Sequence, residues 1–250
     1  MKIAIIGGSS EISQVIFRNL NKEDHEVTML GRKSSTIEFD LLNQDVSKIL
    51  HFDMVIFVAH DHRPNNKIQD LIFRNYVQTL RRLEDNKQRS IFISTMSVSA
   101  SNRSNYVKHK LRLESLFTSH NFKIVRLGLV VGPPISITQN SAFRNILRIA
   151  NVPIFKFYSS KSGPFYTTNL DTIGGWFLKN SFSATEEIVS IYDKEFRSVS
   201  EFLSSIRSRR ISFIPISLTK ISHMIYYLRL NELFSIFDKL LNFSDGMSLR

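Results

Sequence analysis

The 250-residue sequence contains no cysteine, which excludes disulfides, thiolate catalysis and cysteine-ligated metals and fits a reducing compartment. Nor does it contain an internal repeat, a low-complexity segment or a run approaching the ~20 apolar residues that a membrane-spanning helix needs. The apolar stretch within residues 1–8 is much shorter than a secretion signal and has no small-residue cleavage site, so a cytoplasmic protein is expected. Acidic residues are in short supply: 22 Asp and Glu stand against 33 Lys and Arg, a net charge of +11. Such a balance attracts nucleic acid, anionic membranes and anionic small molecules alike, so charge alone does not choose. The densest basic group, Arg207, Arg209 and Arg210, reads as a solvated face. No nucleic-acid recognition motif accompanies it, and nucleic acid is not an expected partner.

What is present is ordinary for a globular chain, with 42% hydrophobic and 22% charged residues, enough for one full-sized α/β domain and a small appendage. The first half alternates short apolar runs with helical patterns. Strands are expected at 2–6, 26–30, 54–58, 90–94 and 123–127, with helices at 11–20, 69–84 and 105–118 between them. That alternation specifies a Rossmann-like, doubly wound parallel sheet, whose strand carboxyl ends share one rim where ligands bind. Beyond Gly132-Pro133-Pro134 the pattern loosens. A helix near 141–150, an irregular Pro- and Ser-bearing stretch to Pro164, a helix at 170–179, a strand near 188–192 and a helix at 200–207 are expected. Residues 218–242 read as amphipathic helices that cover the sheet or meet a second copy in a homodimer. The division expected is a dinucleotide-binding domain over 1–133 and a small C-terminal substrate-binding and helical part over 134–250, interleaved with it.

The first strand runs into Gly7-Gly8-Ser9-Ser10-Glu11-Ile12-Ser13 and then a helix, an arrangement that offers backbone N–H groups at a helix N-terminus to a pyrophosphate. Glycines are usual where Ser10 and Ser13 stand, and by itself the turn is compatible with a plain strand-to-helix connection. The second strand ends at Gly31-Arg32-Lys33, with no acid to grip a ribose 2′-hydroxyl. Arg32 and Lys33 suit a 2′-phosphate instead, which favours NADP over NAD. His60 and His62 follow the 54–58 strand without an evident third ligand, so no metal is assigned.

The most specific constellation is Ser94-Thr95-Met96-Ser97 at a strand end, followed by Tyr106 and Lys110 on a helix. Residues four apart share a helix face, and an ammonium beside a phenol with an unperturbed pKa of about 10 stabilises the phenolate. A hydroxyl from Thr95, with Ser94 as the alternative, holds a substrate oxygen while a proton is exchanged. Trp176, on an apolar helix face, reads as core.

In order along the chain, these motifs resemble the extended short-chain dehydrogenase/reductases, the sugar-nucleotide-modifying branch called the NAD-dependent epimerase/dehydratase family. The resemblance covers roughly residues 1–215. It rests on the Gly7 turn, Phe39-Asp40-Leu41, the segment ending at Ala59, Arg74-Asn75, Ile93-Ser94-Thr95 with Tyr106 and Lys110, Val125 through Pro133, and Phe165 through Leu170. It implies catalytic roles for Tyr106, Lys110, Thr95 and Ser94. It also implies cofactor contacts by Gly7, Gly8, Ser9, Ser10, Glu11, Ile12, Arg32, Lys33, Asp40, Leu41, Ala59, His60, Asn75 and Lys110. Asp40 is the expected adenine contact, Lys110 holds the nicotinamide ribose, and the substrate is a nucleotide-linked sugar. Departures are Ser10 and Ser13 for glycine, Asn169 for an aspartate, and a short interval from Thr95 to Tyr106. They motivate a second reading: a sensor or scaffold that keeps the fold and NADP but has lost turnover.

Overall fold

The structure is a computed structural model and describes residues 1–32, 36–43, 45–59, 66–99, 105–132, 154–158, 164–180, 187–205 and 212–217. The strands β1 (Lys2–Ile6), β2 (Glu26–Gly31), β3 (Ile37–Glu38), β4 (Met54–Phe57), β5 (Arg89–Thr95) and β6 (Lys123–Leu127) alternate with the helices α1 (Glu11–Leu20), α2 (Asn66–Asp85) and α3 (Asn105–Ser119). Then come β7 (Leu129–Val131), β8 (Ile154–Tyr158), β9 (Phe165–Asn169), α4 (Leu170–Asn180), β10 (Ile188–Ile191), β11 (Lys194–Phe196), α5 (Val199–Ser205) and β12 (Ser212–Ser217). A seven-stranded sheet in the order β3-β2-β1-β4-β5-β6-β10 is parallel throughout. Strand order reverses between β1 and β4, the switch point at which open α/β sheets bind ligands.

Side-chain alternation builds a core on each face of this sheet. Ala4, Ile6, Val55, Phe57, Phe92 and Ile124 face α2 and α3, whereas Ile3, Ile5, Met54, Ile56, Ile91, Ile93, Val125 and Leu127 face α1 and α4. The first face seats α3 with particular care. Phe117, fully buried, stacks on Phe92 at 4.7 Å and meets Phe57 edge-on at 5.3 Å. Burying one such ring contributes about 1.5–3 kcal/mol. That seat fixes where the amino end of α3 meets the end of β5. On the surface, Arg112 pairs with Asp70 at 2.6 Å and covers the Phe73 ring, tying α3 to α2. Both charges are about half-exposed, so the pair adds about 0.2–1 kcal/mol.

Smaller sheets complete the fold: β9 pairs with β7 and β11, and β8 with β12. The expected irregular stretch before Pro164 therefore contains a strand, β8. Its partner β12 carries Pro215, which a two-stranded sheet accepts because every strand there is an edge. Trp176 is partly buried and packs on the α1 and α4 face, touching Phe177 edge-on at 5.0 Å. The expected helices at 141–150 and 218–242, and the arginines 207, 209 and 210, lie outside the described residues. Among the described residues no helix is long and apolar enough to cross a membrane.

Candidate active site

At the switch point the chain leaves β1 through Gly7, whose φ of 108° lies in the region that favours glycine. A Cβ there would lie 2.7 Å from the Ala59 backbone nitrogen and 2.9 Å from its Cα. Gly7 thus lets the turn after β1 press against the end of β4, and the pairing of Ala59 N–H with the Ile6 carbonyl at 2.9 Å closes the contact. The amides of Gly7 and Gly8 both donate to the Leu30 carbonyl, at 2.8 and 3.1 Å, which joins the turn to the end of β2.

The two serines of the turn have a structural task. Ser10 caps α1, its Oγ accepting from the Ser13 amide at 3.0 Å, and Ser13 Oγ donates to the Gly7 carbonyl at 2.7 Å. Glycine at either position would leave these bonds unmade. Among the described residues, the amides of Ser9 and Ile12 have no hydrogen-bond partner. They stand with Glu11 at the positive end of the α1 dipole. Arg32 is exposed just past β2; Lys33, His60 and His62 lie outside the described residues. Among the described residues no cluster of His, Asp and Glu is arranged to hold a metal.

Asp40 and Leu41 follow β3. Asp40 Oδ1 accepts from the Leu42 amide at 3.0 Å, and Asn75, reaching from α2, donates through Nδ2 to the carbonyls of Leu41 and Leu42 at 2.9 and 3.0 Å. Asn75 therefore fastens this loop to α2. The link explains why a polar residue on that helix sits beside Asp40 without an ionic partner.

At the other end of the rim, β5 delivers two buried hydroxyls. Thr95 Oγ1 donates to Ser97 Oγ at 3.1 Å and accepts from the Ser97 amide at 3.2 Å. Ser94 shares the sheet face of Phe92, toward α3, and its Oγ has no partner among the described residues. Lys110, also buried, places Nζ 2.7 Å from the Ile93 carbonyl and 4.5 Å from the centre of the Phe92 ring. Desolvation pulls the Lys110 pKa down to about 7, against the opposing pull of Glu114. Tyr106, one turn earlier, is partly buried.

The expected stabilisation of the Tyr106 phenolate is reversed in this structure. Desolvation pushes the phenol up to about 12, because loss of water disfavours the anion. The two side chains share a helix face, and desolvation governs the phenol. Glu114 is absent from the set expected on the sequence. It is buried one turn beyond Lys110 and forms a two-point pair with Arg126 of β6, Nε to Oε1 at 3.1 Å and Nη2 to Oε2 at 2.7 Å. The signal that marks it is the Lys-x-x-x-Glu spacing combined with an arginine on the inward face of the next strand.

Farther along, Gly128 passes close to β9: a Cβ there would lie 2.6 Å from the Tyr166 carbonyl oxygen. The position of Asn169, where an aspartate is common, is served from elsewhere. Asp193 accepts from the Asn169 amide and from the Thr172 hydroxyl, capping the start of α4 from the β10–β11 turn.

No protein-family model matches the sequence, and no curated protein matches it. Solved structures do resemble it. The dTDP-4-dehydrorhamnose reductase of Bacillus anthracis, crystallised with NADP, superposes with a TM-score of 0.67 at 15% identity over 88% of this chain and 86% of that one. Its counterpart from Clostridium acetobutylicum gives 0.65 at 18% over 87% and 84%. The UDP-glucuronic acid 4-epimerase of Bacillus cereus, in complex with NAD, gives 0.61 at 19% over 87% and 86%. The chain has the fold of the extended short-chain dehydrogenase/reductases. In this chain the Gly7 turn follows β1 and the Tyr106 helix follows β5, so both meet the same rim of the sheet.

Proposed function

We propose that the protein is an NAD(P)-dependent oxidoreductase or epimerase acting on a nucleotide-linked sugar. The observation that carries the reading is the placement of Tyr106 and Lys110 on α3, against the hydroxyl-bearing end of β5, on the rim that also holds the Gly7 turn. A dinucleotide fits that rim. Gly7 lets the turn close against the end of β4, the amides of Ser9 and Ile12 and the α1 dipole suit a pyrophosphate, and Asp40 with Leu41 would meet the adenine end. Arg32, with Lys33, favours a 2′-phosphate and hence NADP. A reductase solved with NADP and an epimerase solved with NAD share this fold, which supports a nicotinamide dinucleotide as the cofactor.

When bound, the nicotinamide supplies or accepts the hydride; the chain's own residues manage the proton and the substrate oxygen. Tyr106, held protonated near neutral pH, is the proton donor, so the reading favours delivery of a proton to a carbonyl oxygen. Thr95, whose hydroxyl donates only to another hydroxyl, turns to hold that oxygen, and Ser94 is the alternative. Lys110 would hold the nicotinamide ribose, and its pKa near neutrality suits it to exchange a proton there.

The test is a panel of UDP- and dTDP-linked keto and hydroxy sugars with NADPH or NADP⁺, followed by nicotinamide absorbance and by chromatography of the sugar. Turnover that falls ~10²–10⁴-fold in Tyr106→Phe supports the reading; wild-type turnover in that variant contradicts the assignment. The closed hydrogen bonding of Ser10 and Ser13 favours a second reading, a sensor or scaffold with the same fold. Tight NADPH binding with no turnover on any sugar would favour it.

A further inference from the structure

Among the described residues only two charged side chains are buried, Lys110 and Glu114, and they lie one turn apart on the inward face of α3. Glu114 is gripped at both oxygens by Arg126, which stands opposite Ser94 in the register of β5 and β6. A buried ion pair of this kind is a poor source of stability, since well-packed apolar residues do as well in its place. What the pair does supply is a carboxylate fixed in direction one helical turn from a buried ammonium. Lys110's other contacts, the Ile93 carbonyl and the face of Phe92, carry no full charge.

Among the described residues, Glu114 is the one buried anion that faces Lys110. From β5, Phe92, Ile93 and Ser94 are neutral; from β6 the charged group is Arg126, already on Glu114. Tyr106 precedes Lys110 on α3 as a neutral phenol. Asp70 and Arg74 of α2, with Arg112, Lys108 and His109 of α3, belong to the outer flank, where Asp70 pairs with Arg112 at half-exposed positions.

We propose that Glu114, clamped by Arg126, is a positioning residue that keeps the Lys110 ammonium charged and placed at the end of β5. The inference rests on the reading of Lys110 as a site residue. Removing the carboxylate takes away the negative charge one turn from Lys110, and the lysine gives up its proton more readily. Removing Arg126 instead frees the carboxylate for Lys110, which then holds its proton to higher pH.

The test follows Lys110 in the unliganded protein by NMR of Cε-¹³C-lysine against pH, assigned with Lys110→Arg, with thermal melts to verify folding. Glu114→Gln is expected to lower the Lys110 midpoint on the order of one pKa unit, while Arg126→Met raises it. The double variant Glu114→Met/Arg126→Met, an apolar replacement of the whole pair, folds and also shows the lowered midpoint. Should Glu114→Gln not fold, the double variant decides alone. A Lys110 midpoint unchanged in the double variant, or lowered by Arg126→Met, overturns the proposal, for a merely structural pair gives those results. Because no cofactor is present, the outcome is separate from the enzymatic reading: Lys110→Met binding NADPH as the wild type does would remove Lys110 from the site and leave the titration standing.

Discussion

Replacing Gly7 by alanine tests the close approach at the switch point, and Gly132 supplies its control. Both glycines have positive φ, 108° and 128°, but a Cβ at Gly7 meets the Ala59 backbone at 2.7 Å, whereas one at Gly132 meets nothing within 4 Å. Backbone strain costs about 1–3 kcal/mol at either position. Restricting the unfolded chain returns about 0.4–1 kcal/mol in both variants. Only Gly7→Ala adds the clash, and because the atoms struck are backbone, β1 and β4 must part at the rim, at about 1–3 kcal/mol. Gly132→Ala is thus expected to lose about 1 kcal/mol and Gly7→Ala about 3 kcal/mol. For a chain of this length that is a Tm drop of about 2–4 °C against about 6–12 °C. Thermal melts followed by circular dichroism, with urea unfolding to verify two-state behaviour, measure both. A Gly7→Ala loss no larger than that of Gly132→Ala would refute the argument, since strain alone would then account for it.

Ser10→Ala removes the α1 cap bond to the Ser13 amide and is expected to cost about 0.5–2 kcal/mol in urea unfolding; a neutral change would deny the serine its task. Lys110 titrates near 7 in the fold and near its ordinary 10.5 when unfolded, so between those values the unfolded chain holds more protons and stability rises with pH. The stability difference between wild type and Lys110→Met should therefore move in favour of wild type from pH 7 to 10, and a flat difference would show that burial does not depress the lysine. Arg32→Glu should weaken NADPH far more than NADH, because the new carboxylate opposes a 2′-phosphate and accepts from a ribose hydroxyl. Equal losses by calorimetry would remove the NADP preference.

The sheet is legible in the sequence because its signals are local. The bounds of β1 and α1 follow from a short apolar run and from apolar positions recurring at three and four residues, and the structure has the same bounds. Outside the first half the signal fades for physical reasons: β3 is two residues long, and β12 contains Pro215, which argues against a strand until its edge position is known. In the site, the sequence placed Tyr106 and Lys110 on one helix face but not their electrostatics, because desolvation is a tertiary effect. Glu114 is hidden for the same reason, since charged residues four apart also occur on solvated helix faces. Ser10 and Ser13 look like lost glycines until the hydrogen bonds they make within the turn are seen.

The account stands most directly on whether this rim binds a nicotinamide dinucleotide. Thermal unfolding of the intact chain across a concentration series of NADPH, NADP⁺, NADH and NAD⁺ measures it, because a ligand of the folded state stabilises by RT ln(1 + [L]/Kd). The account predicts a Tm that climbs with the logarithm of NADPH concentration, by about 2.7 kcal/mol at a hundred times Kd, and a smaller climb with NADH. A Tm unmoved by all four at millimolar concentration would contradict it.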